Sequence, residues 1–445
     1  MASKLALAQD TLYDLNARAA GLAGKKRRAA KLPTVTMVGL GYIGLPTAAV
    51  IARAGCTVLG LDVKQDVVDT INEGRIHIEE ADLDILVRQM VACGRLSAAT
   101  QPRESDIFVI AVPTPVRAGN APDISYILQA AERVAPILAK GNLVILESTS
   151  PIGTTARIGE VLAKIRPDLK IAGQHAADCD IHLAYCPERV LPGQIIAELV
   201  SNDRSIGGMT SACATKARQF YEIFVEGECV ETDAATAEMV KLVENASRDV
   251  SIAFANELSL IADHVGTDIW EVIALANRHP RVNILQPGPG VGGHCIAVDP
   301  WFLVHSAPEQ TPLIATARKV NDGKPHYVIA RAEALIAAQP QAKIACLGLS
   351  FKANIDDFRE SPALYIAQQL AKKFGDRIKI VEPYCESLPP QFAGTGAQLV
   401  DLEQAFATCD IVIILVDHAA FKIAAPDQYA GKILLDTRGI YTKKR

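Results

Sequence analysis

The run GPGVGGHCIAVDPWFL, Gly288 to Leu303, sets a single thiol, Cys295, directly after a glycine-rich loop and four residues before a carboxylate, Asp299. A thiolate adds to carbonyl carbon, and a nearby carboxylate can accept or return the protons that such chemistry moves. The Asp-Pro pair reads as the N-cap and first position of a helix, so Cys295 and Asp299 are expected just before that helix rather than stacked within it. A thiol beside unpaired backbone N–H groups at a helix start is expected to have a lowered pKa. Taken alone, a cysteine is more often a small buried hydrophobe.

Lys241, Asn245 and Arg248 fall at i, i+4 and i+7, which puts them on one helical face where they could hold an oxyanion or a phosphate. The bland reading is a solvated polar stripe. Gly39, Gly41 and Gly44 in GLGYIG, with Tyr42 and Ile43 between them, sit between a strand pattern and a helix pattern, and Asp62 closes the next strand 18 residues after Gly44. In a dinucleotide fold such glycines permit the tight turn, the approach of a pyrophosphate and close helix packing, while the acid binds a ribose hydroxyl. An acid there repels a 2′-phosphate, so NAD is expected over NADP. The loops VPTP, which holds Thr114, and ESTSPIGTT, which holds Thr149, follow later strands and face the same crevice; either could also be a turn fixed by proline.

These groups need a frame. Strand patterns at Asp106 to Val112, Leu143 to Glu147 and Ile181 to Tyr185 alternate with helix-length segments, as in a parallel sheet covered on both faces. From about Asp233 to Val265 the chain has no proline and predicts a long central helix. Strands return at Ile344 to Leu349, Ile378 to Val381, Asp410 to Val416 and Lys432 to Asp436, giving a second lobe without a glycine fingerprint of its own. The fold class is therefore α/β, two Rossmann-like doubly wound lobes joined by a long central helix. The expected divisions are a basic amphipathic extension (1–32), an NAD-binding lobe (33–215), a central helical region with the cysteine loop (216–320) and a C-terminal lobe (321–445).

Composition narrows the classes. The 445 residues are 49% hydrophobic and 21% charged, as in a folded globular protein, and no apolar run nears the roughly 18 residues of a membrane span. The formal charge of −5 argues against a polyanion binder, although seven basic and two acidic residues give residues 1–33 a charge of +5 and leave −10 on the rest. Leu5, Ala8, Leu12, Leu15, Ala19 and Leu22 line one face of a helix in that extension, read as a loosely docked tail. Ten scattered cysteines without a CxxC pair suit reduced thiols in an unexported, cytoplasmic protein. No HExxH occurs and Cys179/Cys186 has no matching second pair, so no metal site is expected.

With these elements together, the sequence resembles the UDP-glucose/UDP-N-acetylmannosamine dehydrogenase family from about Pro33 onward: YCPERVLPG, KLVEN, NRHPRVNILQPGPGVGGHCIAVDPWFL, FKANIDDFRESPA and VDH occur in the family's order. The resemblance implies oxidation of a primary alcohol on a UDP-sugar to a carboxylate with two NAD. The long GHCIAVDPWF and PERVLPG forms look most like the branch that oxidises UDP-N-acetyl-D-mannosamine; UDP-N-acetylglucosamine and UDP-glucose are the alternatives. It further implies Cys295 as the covalent nucleophile, Asp299 for proton transfer, Lys241 and Asn245 for oxygen charge, and Glu188 for thioester hydrolysis. Arg189, Val190, Arg248, Gly292 and Lys352 become substrate contacts, Arg359 a cofactor contact, and Arg281 a residue reaching the neighbouring subunit, so at least a homodimer is implied. Where UDP-glucose dehydrogenases often carry a second glutamate, this chain has Pro192. Two rival readings remain. A two-electron β-hydroxyacid dehydrogenase has no use for Cys295, and a non-catalytic NAD-sensing module has no need of Lys241, Cys295 and Asp299 together.

Overall fold

The computed structural model describes residues 32–78, 80–173, 178–191, 193–423 and 426–441. The amphipathic stripe of the extension and Pro192 lie outside them.

Strands β1 (Thr34–Val38), β2 (Thr57–Leu61), β3 (Leu96–Ala99), β4 (Ile107–Ile110), β5 (Leu143–Leu146), β6 (His182–Tyr185), β7 (Arg204–Gly208) and β8 (Cys229–Asp233) form one sheet in the order 3-2-1-4-5-6-7-8. The apolar runs of β1, β4, β5 and β6 are buried because helices cover both faces of the sheet. Pairing is parallel except between β6 and β7. That reversal departs from the all-parallel expectation, and β7 and β8 carry the sheet past the expected division at 215 to Asp233. Both were missed because their polar residues, Arg204 and the run ETD, break the apolar pattern.

The second sheet joins β9 (Ile344–Leu347), β10 (Ile378–Val381), β11 (Gln398–Leu399), β12 (Ile411–Ile414) and β13 (Ile433–Asp436) in the order 11-10-9-12-13, all parallel. Its crossover repeats the first lobe. Gly39 N–H donates to Leu61 O and Gly348 N–H to Val381 O, each at 2.8 Å. Leu40 N–H then donates to the Asp62 carboxylate at 3.1 Å, and Leu349 N–H to Glu382 at 2.7 Å. The second lobe thus has the first glycine and the strand-end acid of a nucleotide turn but not its second and third glycines, so the full fingerprint is absent there, as expected.

The central helix runs Ala234–Val265, capped by the Asp233 carboxylate on Thr236 N–H and ended by Gly266 in the left-handed conformation. It packs along a second long helix, Pro312–Ala338, which feeds β9. Buried Arg318 donates to Asp249 at 2.6 Å, and Asn321 to the same carboxylate oxygen at 2.7 Å, while Asp249 Oδ2 and Arg318 Nε have no partner among the described residues. Among the described residues no helix is long and apolar enough to cross a membrane.

Candidate active site

The glycine turn shows why glycine stands at each position. A Cβ on Gly39 would lie 2.5 Å from Ala111 O, and one on Gly44 only 1.9 Å from Gly39 O, whereas one on Gly41 would meet nothing within 4 Å. The first and third glycines are closed by backbone; the second leaves open space at the start of helix Gly44–Arg53, where N–H groups and the helix dipole favour a pyrophosphate. Asp62 stands at the carboxyl end of β2 with its carboxylate set by Leu40 and Lys64 N–H groups. Thr114 Oγ1 is buried without a hydrogen-bond partner among the described residues, as suits a ligand contact. Ser148 Oγ donates to Val112 O at 2.7 Å and so ties the Thr114 loop to the Thr149 loop. These residues fit an NAD dinucleotide.

The reacting groups gather beside this crevice. Lys241, on the central helix, is buried and donates from Nζ to Glu188 O at 2.7 Å. One turn on, Asn245 Nδ2 donates to Asp299 Oδ2 at 2.5 Å. Asp299 opens the helix Asp299–Ser306, and Val298 holds the N-cap position without a side-chain bond, which corrects the expected cap by one residue. Asp299 N–H donates to Cys295 O at 2.9 Å across one turn, and Cys295 itself precedes the helix, as expected. The thiol is open to solvent at the cleft, yet the surrounding protein and then Asp299 push its pKa up, against Lys241 and Arg359. That is opposite to the lowering a helix start can give: burial outweighs the helix pole, and the Asp299 charge adds to it. Burial lifts Asp299 to about 6, opposed by Asn245 and Lys241.

Glu188 follows β6 and is held by two donors, Arg204 at 2.9 Å and its neighbour's Arg189 N–H at 2.9 Å. Arg204 is itself buried, with Tyr221 and Phe224 rings at 5.0 and 6.0 Å. A second carboxylate, Glu147, lies buried nearby under the Tyr221 hydroxyl, and burial followed by the Glu188 charge lifts it to about 7. Glu238 of the central helix accepts from Gly153 N–H, Thr155 N–H and Thr155 Oγ1, fastening the Thr149 loop. Arg204, Glu147 and Glu238 were missed. Each is a lone charge in an unremarkable stretch, and its role exists only through contacts far apart in sequence.

Other expected residues are distributed around this centre. Arg189 pairs with Glu244 at 2.7 Å, and Val190 packs partly into the core. Arg248, Arg281 and Lys352 are exposed. Gly292 is pressed against the second lobe: a Cβ would lie 2.5 Å from Glu360 O and 2.7 Å from the Pro362 ring. Arg359, paired with Asp357, stacks over the Tyr42 ring at 5.2 Å and so spans from the second lobe to the glycine turn.

A dinucleotide crevice, a second lobe with the same turn, and a cysteine with lysine, amide and carboxylate at their seam define an NAD-dependent dehydrogenase. The chain belongs to the UDP-glucose/GDP-mannose dehydrogenase family, whose NAD binding, central and UDP binding domains match residues 33–225, 235–323 and 345–443. It is 55% identical over 412 residues to the NDP-N-acetyl-D-galactosaminuronic acid dehydrogenase of Ralstonia nicotianae, covering 93% of this chain and 97% of that one. It is 52% identical to the UDP-N-acetyl-D-mannosamine dehydrogenase of Escherichia coli K12, over 92% of this chain and 99% of the other. The solved structure of the UDP-N-acetyl-mannosamine dehydrogenase Cap5O from Staphylococcus aureus superposes with a TM-score of 0.80 at 40% identity, over 93% and 96% of the two chains.

Proposed function

We propose that this enzyme oxidises the primary alcohol of UDP-N-acetyl-D-mannosamine to the uronate in two hydride transfers, through a thioester on Cys295. The observation that carries the reading is the seam itself, where Cys295 shares one turn with Asp299, and Asn245 and Lys241 close the other side. NAD, when bound by Gly39, Gly41, Tyr42, Ile43, Gly44, Asp62, Thr114, Thr149 and Arg359, supplies the hydride acceptor. Asp299 takes the alcohol proton by way of water, while Lys241 and Asn245 stabilise charge on the substrate oxygen. The Cys295 thiol then adds to the aldehyde carbon as its proton passes to the carbonyl oxygen; loss of the adduct's hydroxyl proton by way of Asp299, and of a second hydride that a second NAD would accept, leaves the thioester. Glu188, fixed by Arg204, draws a proton from the water that releases the acid.

Arg189, Val190, Arg248, Gly292 and Lys352 line the path of the nucleotide sugar. Arg281 serves the neighbouring subunit of a homodimer. In support, Val243, Phe254, Ile261 and Val265 are 43–59% exposed and fall on one face of the central helix, an apolar stripe left uncovered among the described residues. Ten free cysteines fit the reducing cytoplasm, where the product would feed surface polysaccharide synthesis. UDP-N-acetylgalactosamine is the second substrate reading, favoured by the 55% identical Ralstonia relative.

A panel of UDP-N-acetylmannosamine, UDP-N-acetylgalactosamine, UDP-N-acetylglucosamine and UDP-glucose, assayed for NADH and sugar consumed, tests both levels. The expected result is about two NADH per sugar, as two hydride losses around a covalent intermediate require, with the highest kcat/KM on the mannosamine sugar. A one-to-one ratio with free aldehyde overturns the mechanism; preference for another sugar overturns only the substrate.

A further inference from the structure

At the amino end of β6, on the edge of the sheet opposite the cofactor crevice, three metal-ligating side chains converge from separate segments. Cys179 lies in the loop before β6, His182 is its first residue, and Cys213 lies in the first turn of helix Ser211–Tyr221. Cys179 Sγ is 3.6 Å and Cys213 Sγ 3.7 Å from His182 Nδ1, and the three ligand atoms lie within 4.8 Å of one another. Zn–S bonds of ~2.3 Å and a Zn–N bond of ~2.05 Å at tetrahedral angles put sulfur and nitrogen about 3.6 Å apart. The sulfur-to-nitrogen edges of such a site are therefore already in place. The sequence shape agrees with it: a close pair, Cys179 and His182, is joined by one distant ligand. The pairing considered from sequence, Cys179 with Cys186, does not form, since Cys186 is buried at the other end of the strand.

We infer that Cys179, Cys213 and His182 bind one zinc ion, with water as fourth ligand. The two thiol protons leave to solvent as the Zn–S bonds form, and the neutral imidazole donates its Nδ1 lone pair. Two thiolates and one dication make an uncharged centre, so the neighbouring Lys216 ammonium does not oppose it. Thr210 Oγ1 donates to Cys213 Sγ at 3.1 Å, an outer hydrogen bond that orients the ligating sulfur. The half-exposed Cys179 and His182 leave an entry path for the ion and room for the water. His182 opens β6 and Glu188 lies beyond its carboxyl end, with the four-residue strand of roughly 3.3 Å per residue between them, so the metal takes no part in the oxidation. It pins the start of helix Ser211–Tyr221 to β6, and the last residue of that helix, Tyr221, braces Glu147 and Arg204 behind Glu188.

The test uses the full chain, reduced, stripped with a chelator, reloaded with Zn2+ and desalted. The expected result is one zinc per chain in the parent and in Cys93→Ser, with near zero in Cys179→Ser and Cys213→Ser. On the parent itself, Zn2+ at about ten times its dissociation constant should slow alkylation of Cys179 roughly tenfold, read by peptide mass. Equal zinc in parent and variants, or unchanged alkylation, overturns the proposal. A chain lighter by two hydrogens with Cys179 and Cys213 in one disulfide, unable to take zinc after reduction, also overturns it.

Discussion

Asn245 and Asp299 meet across the seam between the central helix and the short helix after the cysteine loop, with the amide nitrogen donating to the carboxylate at 2.5 Å. The pair is nearly dry. Asp299 is 3% exposed, and burial lifts its pKa from 3.8 to about 6. Protonated, it cannot accept the alcohol proton, so kcat/KM should fall tenfold per pH unit below about 6, and Asp299→Asn should lose at least about 100-fold at pH 8. Folding carries the opposite sign. A raised carboxyl pKa adds stability that is fully present below about 4 and lost as pH rises through about 6. Asp299→Asn, a fixed mimic of the neutral form, should unfold at higher urea at pH 8, by up to about 3 kcal/mol, with the gap closing at pH 4. Equal stability at pH 8 would contradict the raised pKa.

Glu188→Gln should permit both hydride losses and slow the release of acid. Rapid mixing should then show a burst of about two NADH per site, and intact mass a chain heavier by the nucleotide-sugar acyl group, removable by hydroxylamine. No burst and no adduct, with normal binding of both ligands, would assign Glu188 a structural role only.

Arg204→Met removes the buried partner of Glu188 and leaves that carboxylate, and Glu147 beside it, without their cation. Stability should drop by about 3–5 kcal/mol in urea titrations, and the double variant Arg204→Met/Glu188→Gln should recover part of the loss. Additive losses would show the pair to be independent.

Asp62→Ser should narrow the preference for NAD over NADP, because the carboxylate that repels a 2′-phosphate is gone while the glycine turn is intact. Ratios of kcat/KM for the two dinucleotides measure it, and an unchanged ratio would remove Asp62 from the ribose site.

Mixing an Arg281→Ala chain with a Cys295→Ala chain should return some activity through hybrid sites if the arginine serves its neighbour. Subunit exchange demonstrated by mass, with no activity regained, would place Arg281 in its own subunit's site.

The glycine turn, Asp62, the central helix and the cysteine loop were legible because each signal is local, a spacing within one or two elements. The proline-free run from about Asp233 to Val265 predicts the central helix, and the structure adds the Asp233 carboxylate as its cap. Arg204, Glu147 and Glu238 were not legible. Glu238 reaches Gly153 and Thr155, 85 and 83 residues away, and nothing beside it announces the contact. Glu382 lay within reach: VEP after β10 stands where LGLD ends β2, and comparing the two crossovers would have shown the second turn. The raised pKa of Cys295 is not legible in the sequence, because it comes first from burial by the folded chain and only then from the Asp299 charge.

Glu238 has a mechanical consequence. Its carboxylate takes three donors from the start of helix Thr154–Ile165, which welds the central helix to the first sheet at the loop nearest the cofactor. The far seam is built differently. There Gly290 and Gly292 lie close against Pro325, Pro362 and Phe351, so that seam rests on fit between surfaces. Cys295 therefore stands between a polar anchor on one side and a packed joint on the other.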